Sequence, residues 1–302
     1  MTDSGYQHAL YAQVFKKIAT PRYLHNCGGW ILERETPSLN YKDAMGCYPV
    51  FTCNDWSQLR TDIDSLRPDL VSIVLVTDPF GSFQQEDLID SFDDVKQFKE
   101  HLVTDLAQYP TELPNGSTKR NLTKALANLE ITVCPEPDNY LDEWTDLYAE
   151  LCVRHEITGI RSFSRTAFKS LFDVPGLTML RASHQGTTVG LHLWFTCGNV
   201  AYGHLGTTNQ LGNRFMASYA LYWFAIRFFR GQVNWLDLGS APGDQSPAGS
   251  GLLDFKKRWA TGSRPVYLCS RILDQNKYNS LVQSNRPPQS TYFPAYRSGE
   301  LL

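Results

Sequence analysis

The stretch Val200–Gly239, VAYGHLGTTNQLGNRFMASYALYWFAIRFFRGQVNWLDLG, decides how the chain is read. VAYGHLGTT has strand composition, NQLG is a loop, NRFMASYALYWFAIRFFRG is an aromatic-rich helix, and VNWLDLG is a second strand. Together they form one β-α-β crossover. A helix that opens after a glycine-containing loop, between two strands, presents its unpaired N–H groups and its positive dipole end beside the strand ends. That is a place to bind an anion or a carbonyl oxygen.

Working outward, three strands precede the crossover: Thr178–Ser183, Thr187–Phe195 and Val200–Thr208. Their connections, Gln185-Gly186 and Cys197-Gly198-Asn199, are short enough to require an antiparallel meander. Before them lies an amphipathic helix, Asn139–Glu156, with Leu141, Trp144, Leu147, Tyr148, Leu151 and Cys152 on one face. Ser164 caps a short helix over Arg165–Phe172. After the crossover come a helix, Ser250–Ala260, and a last strand, Pro265–Leu273. Beyond Gln275 the chain is polar and proline-rich, and reads as a loosely packed tail.

The first half is less regular. Tyr6, Leu10, Val14 and Ile18 recur at helical spacing, Arg22–Arg34 is strand-like around a Gly28-Gly29 break, and Cys47–Thr52 is a short strand. Asn54 is placed to cap a helix over Asp55–Leu66, and the apolar run Leu70–Val76 suits a buried strand. A polar loop then leads to a strand at Phe98–Leu106, a helix at Lys119–Leu129 and a strand at Ile131–Cys134. Pro135, Pro137 and Asp138 mark a boundary. The expected division is a domain over residues 1–136, a second over 137–275, and the tail 276–302.

With 302 residues and a formal net charge of −3, the chain can bury two ordinary cores and has no whole-molecule field favouring nucleic acid or membrane. No basic segment followed by an apolar run opens the sequence, so cytoplasm is the expected location. Phe215–Phe229 is interrupted by Ser218 and Arg227 and is too short to span a bilayer. The seven cysteines are scattered without a C-x-x-C pair, which points to reduced thiols and to no metal site.

This element order, with Tyr202-Gly203-His204-Leu205-Gly206, Leu236-Asp237-Leu238-Gly239 and Leu253-Asp254-Phe255-Lys256-Lys257-Arg258-Trp259, resembles the GNAT acyltransferase superfamily. Within it, the chain looks like the Fem-type peptidyltransferases, which carry two such domains. The resemblance covers Asn139–Leu273 and extends more weakly to Phe98–Leu106 and Lys119–Leu126. It implies an α+β fold with two GNAT-like domains, each a mixed, mostly antiparallel sheet flanked by helices, the first degenerate and on the acceptor side. It also implies a donor held in a splayed sheet: acyl-CoA in ordinary GNAT enzymes, aminoacyl-tRNA in Fem-type ones. The implied reaction is attack by a primary amine on a thioester or ester carbonyl.

One segment departs from the pattern. The ordinary coenzyme A loop reads Gln/Arg-x-x-Gly-x-Gly/Ala, whereas this chain has Asn209-Gln210-Leu211-Gly212-Asn213-Arg214, with a large residue last. Arg214 can itself meet a phosphate.

Amide formation needs an oriented amine, a proton acceptor and donors for the developing oxyanion. His204 and Tyr202, two apart on a strand, share a face; His204 reads either as the base or as a satisfied core histidine. His192, on the preceding strand, reads as structural or as substrate-binding. Lys256, behind Phe255, would by resemblance reach the acceptor or oxyanion site, against the plain reading of a solvated helix face. Asp237 either orients the amine or caps the next loop, and Lys99 and His101 are candidates for binding an anionic acceptor. The expected function is N-acyl or aminoacyl transfer from a coenzyme A thioester to a small-molecule or peptide amine. The alternatives are a tRNA-dependent Fem-type transferase, and a catalytically silent ligand-binding protein of the same fold.

Overall fold

A computed structural model describes residues 4–159, 162–240, 247–286 and 292–300. The chain divides into two units, each discontinuous in sequence, where a single junction near residue 136 was expected. The unit called inner, after its place in the middle of the sequence, comprises Met1–Gly5, Glu100–Ile157 and Phe163–Arg264; the one called outer, after its flanking segments, comprises Tyr6–Lys99, Thr158–Ser162 and Pro265–Leu302. The fold is α+β, and each unit holds a mixed, mostly antiparallel sheet flanked by helices.

The outer unit begins with α1 (Ala9–Gln13), much shorter than the helix expected over residues 4–18. A hairpin of β1 (Thr20–Leu24) and β2 (Gly29–Glu35) follows. It turns at Gly28, whose φ of +72° suits glycine. Antiparallel β3 (Lys42–Gly46) comes next, ahead of the expected Cys47–Thr52 strand, of which Phe51 alone makes a bridge, to Thr77. Asp55, rather than Asn54, accepts from the Ser57 N–H and opens the turn that leads into α2 (Leu59–Ser65). The crossover ends in β4 (Ser72–Val76), parallel to β3. The expected polar loop then contains α3 (Gln85–Ser91), where Asp87 accepts from the Gln84 N–H at 2.8 Å.

In the inner unit, the latter part of β5 (Asp94–Asp105) leads to α4 (Gly116–Asn128) and β6 (Glu130–Cys134). Next is α5 (Leu141–His155), with Asp142 and Glu143 in its first turn and Arg154 and His155 in its last, each sign opposing the local helix dipole. Ser164 caps α6 (Arg165–Phe172) by accepting from the Ala167 N–H. The meander β7 (Leu177–His184), β8 (Thr187–Cys197) and β9 (Val200–Thr208) is antiparallel throughout, with β6 on its edge. Two helices, α7 (Gln210–Arg214) and α8 (Ala217–Phe229), then cross to β10 (Trp235–Gly239), which runs parallel to β9 and antiparallel to β5. α9 (Pro247–Lys257) completes the unit. Its core joins Leu180, Trp194, Ala201, Leu236 and Leu238 of the sheet to Leu221, Ala225 and Phe229 of α8 and to Trp259.

The chain returns to the outer unit in β11 (Gly262–Ile272), antiparallel to β4. Beyond it the expected loose tail contains α10 (Gln275–Asn285) and a turn, Ala295–Arg297, that is firmly held. Arg297 meets the fully buried Asp43 at 2.6 Å, and Tyr296 hydrogen-bonds both Asp43 and Ser72. Removing one partner of such a pair would strand a buried charge, at a cost of about 3–5 kcal/mol. Among the described residues no helix is long and apolar enough to cross a membrane.

Candidate active site

β9 and β10 form a fork in the inner unit. They pair in parallel at Val200–Trp235, Ala201–Leu236 and Tyr202–Asp237, after which the pairing stops although β9 continues to Thr208. A bulge stands on each strand near this vertex. Against β8, Leu193 faces Leu205 while Trp194 faces Gly203, so His204 is the extra residue on β9. Against β5, Val103 faces Asp237 and Leu102 faces Gly239, so Leu238 is the extra residue on β10. Bulges bend and twist a strand locally, which accounts for the divergence.

A cleft of about 540 Å³ occupies the opening, lined by Gly203–Thr208, the first turns of α8, the end of α5, and Phe255 and Lys256 of α9. Two glycines keep the β9 wall low. A Cβ on Gly206 would fall 2.6 Å from the His192 ring, and one on Gly203 would lie 3.3 Å from the Asp237 carbonyl oxygen. Chemistry gathers at the vertex. Lys256 Nζ donates to the Ser240 carbonyl at 2.8 Å, and Asp237 Oδ1 accepts from the Gly239 N–H at 2.7 Å, with Gly239 at a φ of +70°. His101 donates from Nδ1 to both oxygens of Asp237, at 2.9 and 3.1 Å. Burial, with the Asp237 charge nearby, raises the Tyr222 hydroxyl well above its ordinary value.

Two further histidines of the site, His192 and His204, are held neutral. His192 is buried beside Lys256, and burial first, then that charge, pushes it down to about 4. His204 is half-buried as a residue, but its Nε2 is buried, Phe163 and Phe195 enclose its ring at 6.0 and 5.2 Å, and burial pushes it down to about 3.

Of the residues singled out in the sequence, His192, His204, Asn213, Phe255 and Lys256 line the cleft. Asp237 and His101 form the buried pair beside its vertex, and Tyr202 is buried on the rung opposite Asp237. Lys99 falls in the outer unit, its ammonium 5.1 Å from the Phe98 ring. The segment Asn209–Arg214 is a short helix rather than an open phosphate loop. Asn209 accepts from the Gly212 N–H at 2.9 Å, so that donor is already used within the segment. Gly212 is required by packing, because a Cβ there would fall 2.2 Å from the Val189 carbonyl oxygen. Leu211 packs on the core, Gln210 is exposed, Thr208 donates to the Asn213 side chain, and exposed Arg214 lies over Phe215 at 5.9 Å.

The crossover helix therefore starts later than its composition suggests. Met216, at a φ of +64°, breaks it, and α8 begins at Ala217 with no side chain capping its first turn. Met216, Ala217, Ser218 and Tyr219 line the cleft, so the open helix start lies there and not at Asn209. Arg154, His155, Tyr219 and Tyr222 are lining residues that the sequence reading missed. Arg154 and His155 are indistinguishable in sequence from any basic helix end. Tyr219 and Tyr222 belong to the aromatic-rich helix, and their spacing on one helix face, where they meet Phe255 at 5.0 and 5.1 Å, is the signal that could have found them.

Residues 116–257 match the family model described as an acetyltransferase (GNAT) domain. In fold the chain is similar to FemX, at 13% identity over 92% of this chain and 94% of that one, with a TM-score of 0.68. It is also similar to the C-terminal domain of a putative lysylphosphatidylglycerol synthetase from Agrobacterium fabrum (14% identity, 92% and 90% coverage, TM-score 0.64). A third solved structure, L-PGS from Bacillus licheniformis, has 12% identity, 90% and 94% coverage and a TM-score of 0.59. Among curated protein sequences, none matches the chain.

Proposed function

With a GNAT domain over residues 116–257 as the premise, we propose that the chain is an N-acyltransferase moving an acyl or aminoacyl group onto a primary amine. The observation that carries this reading is the fork. Where β9 loses its β10 partner, the edge of β9 from Gly203 to Thr208 borders a cleft that ends at a fixed lysine. An extended donor arm can bond such an edge as an added strand would. A carbonyl brought to the vertex would meet the Lys256 ammonium, which can move from the Ser240 carbonyl to a developing oxyanion.

In the leading reading the donor is a coenzyme A thioester, its phosphates received by the start of α8 and by Arg154 at the mouth. A second reading, an aminoacyl-tRNA donor, is supported by the Asn209–Arg214 segment, whose Gly212 is committed to Val189 and whose helix caps itself. The likeness to FemX in fold is in keeping with it. The acceptor would be a small-molecule or peptide amine.

The test is to incubate the purified chain with acetyl-CoA, reading thiol release, and separately with aminoacyl-tRNA, reading loss of the ester, each over a panel of primary amines. Amine-dependent consumption of one donor, lost on Lys256→Ala, is the expected result. Consumption of neither would overturn acyl transfer.

A further inference from the structure

Resting on the acyl-transfer reading, we propose that His101, held by Asp237, is the base that takes the proton from the acceptor amine. Four histidines stand at or beside the fork: His155 is exposed at the end of α5 where it lines the cleft, and the surroundings of the other three separate them. His204 is enclosed by Phe163 and Phe195, and His192 is buried beside the Lys256 ammonium. Both are pushed far below the ordinary imidazole range, to about 3 and about 4, where a ring holds a proton too weakly to draw one from an amine. His101 is hydrogen-bonded to a carboxylate, that of Asp237.

The pair has the geometry of an oriented base. A carboxylate can only accept, so Nδ1 carries the hydrogen and Nε2 carries the lone pair. Asp237 is itself fixed by the Gly239 N–H, which prevents the carboxylate from rotating away. Asp237 thus holds the ring in one orientation with Nε2 turned outward from the pair, the arrangement of a nucleophile–base–orienter set. Among the described residues, Tyr222 of α8 feels the Asp237 charge, Tyr202 of β9 is paired with Asp237 across the rung, and Lys256 of α9 holds the neighbouring Ser240 carbonyl.

Position supports the assignment. Asp237 occupies the last rung before the strands part, and the residues that follow, Gly203 on β9 and Leu238 on β10, line the cleft. Leu236 and Leu238 pack with α8, and Leu102 joins the same core, so Asp237 and His101 belong to the opposite face of the sheet. Lys256 reaches the Gly239–Ser240 turn from α9, while His101 serves the same turn from that opposite face. In the proposed step the acceptor binds as its ammonium and gives one proton to His101 Nε2, the freed amine nitrogen bonds to the donor carbonyl carbon, and the second proton that this nitrogen must shed passes to water. The carbon–sulfur bond, or the carbon–oxygen bond of an ester, then breaks with its electron pair on the leaving atom, which takes the proton from the imidazolium.

The experiment uses the full chain with whichever donor, acetyl-CoA or aminoacyl-tRNA, the wild type consumes. Two acceptors are compared: an alkylamine, protonated at neutral pH, and hydroxylamine, which is not. His101→Gln should lower kcat for the alkylamine by about 10²–10⁴-fold with donor KM unchanged, and leave the hydroxylamine reaction close to wild type. Imidazole added to His101→Ala should restore alkylamine turnover, and Asp237→Asn should give a smaller loss of the same kind. Equal losses with both acceptors and no rescue by imidazole would assign His101 a structural role and overturn the proposal, as would wild-type turnover in His101→Gln. If the wild type consumes neither donor, the acyl-transfer reading falls and this one with it; a failure confined to the His101 variants leaves acyl transfer standing.

Discussion

Each unit contains a parallel fork, and the two forks have opposite fates. In both, antiparallel strands feed a helical crossover into a strand parallel to the last of them, and that strand then pairs with an antiparallel neighbour. In the outer unit, β3 and β4 pair at Ala44–Ile73 and Met45–Val74, and β3 ends at Gly46. The chain comes back at Phe51, which bridges Thr77 and lies fully buried against Trp56 at 5.5 Å. Glycines make room for this ring: a Cβ on Gly29 would fall 2.5 Å from Phe51, and one on Gly46 would lie 3.0 Å from both Phe51 and Leu75. In the inner unit, glycines at 203 and 206 border the diverging edge, no aromatic residue among the described ones fills it as Phe51 fills the other, and a cleft results. One grammar therefore yields core or site depending on whether a side chain enters the vertex.

Four changes test this contrast. Emptying the closed fork has the largest expected effect. Phe51→Ala should cost about 3–5 kcal/mol of unfolding free energy, read by denaturant titration, while amine-dependent donor consumption under folding conditions stays at the wild-type rate. Lys256→Ala should leave stability near wild type and reduce turnover by about 10²–10³-fold, the usual scale for one oxyanion donor. Gly206→Ala begins to close the open fork. The added methyl must displace the His192 ring, at about 1–3 kcal/mol of stability, with a matching rise in donor KM.

The smallest effect appears on mild acidification. His192 has a folded-state pKa depressed to about 4, so in the window from the ordinary imidazole value down to about 4 the unfolded chain binds a proton that the folded chain does not. Stability should fall as pH falls through that window, by at most about 1.4 kcal/mol per pH unit, and His192→Leu should flatten that part of the pH–stability curve. An unchanged slope in the variant would show that His192 is not buried neutral.

The inner meander and crossover were readable because β7 to β10 alternate or run apolar between short glycine turns. Lys256 was readable only through resemblance, since by composition it is one cation in a basic helix end. Other features left no local trace. Met216 adopts a left-handed backbone without being glycine, so nothing in NRFMASYALY announces the break that moves the helix start to Ala217. Gly212 looked like a phosphate glycine because sequence does not show the Val189 carbonyl pressed against it. His101 and Asp237 are 136 positions apart, and their contact depends on β5 lying beside β10, a pairing no periodicity encodes.

The division of the chain also bears on how the protein is made. The inner unit ends at Arg264, so its sheet can close once that residue has left the ribosome. The outer unit has its first strands made early yet lacks β11 until residue 272, and its Asp43 does not meet Arg297 until residue 297 has emerged. Chains usually mature from the N-terminus forward. Here β1 to β4 should become protected after the later-made strands of the inner unit, and a chain shortened after Arg264 should retain a folded inner unit while the outer one is open to proteolysis.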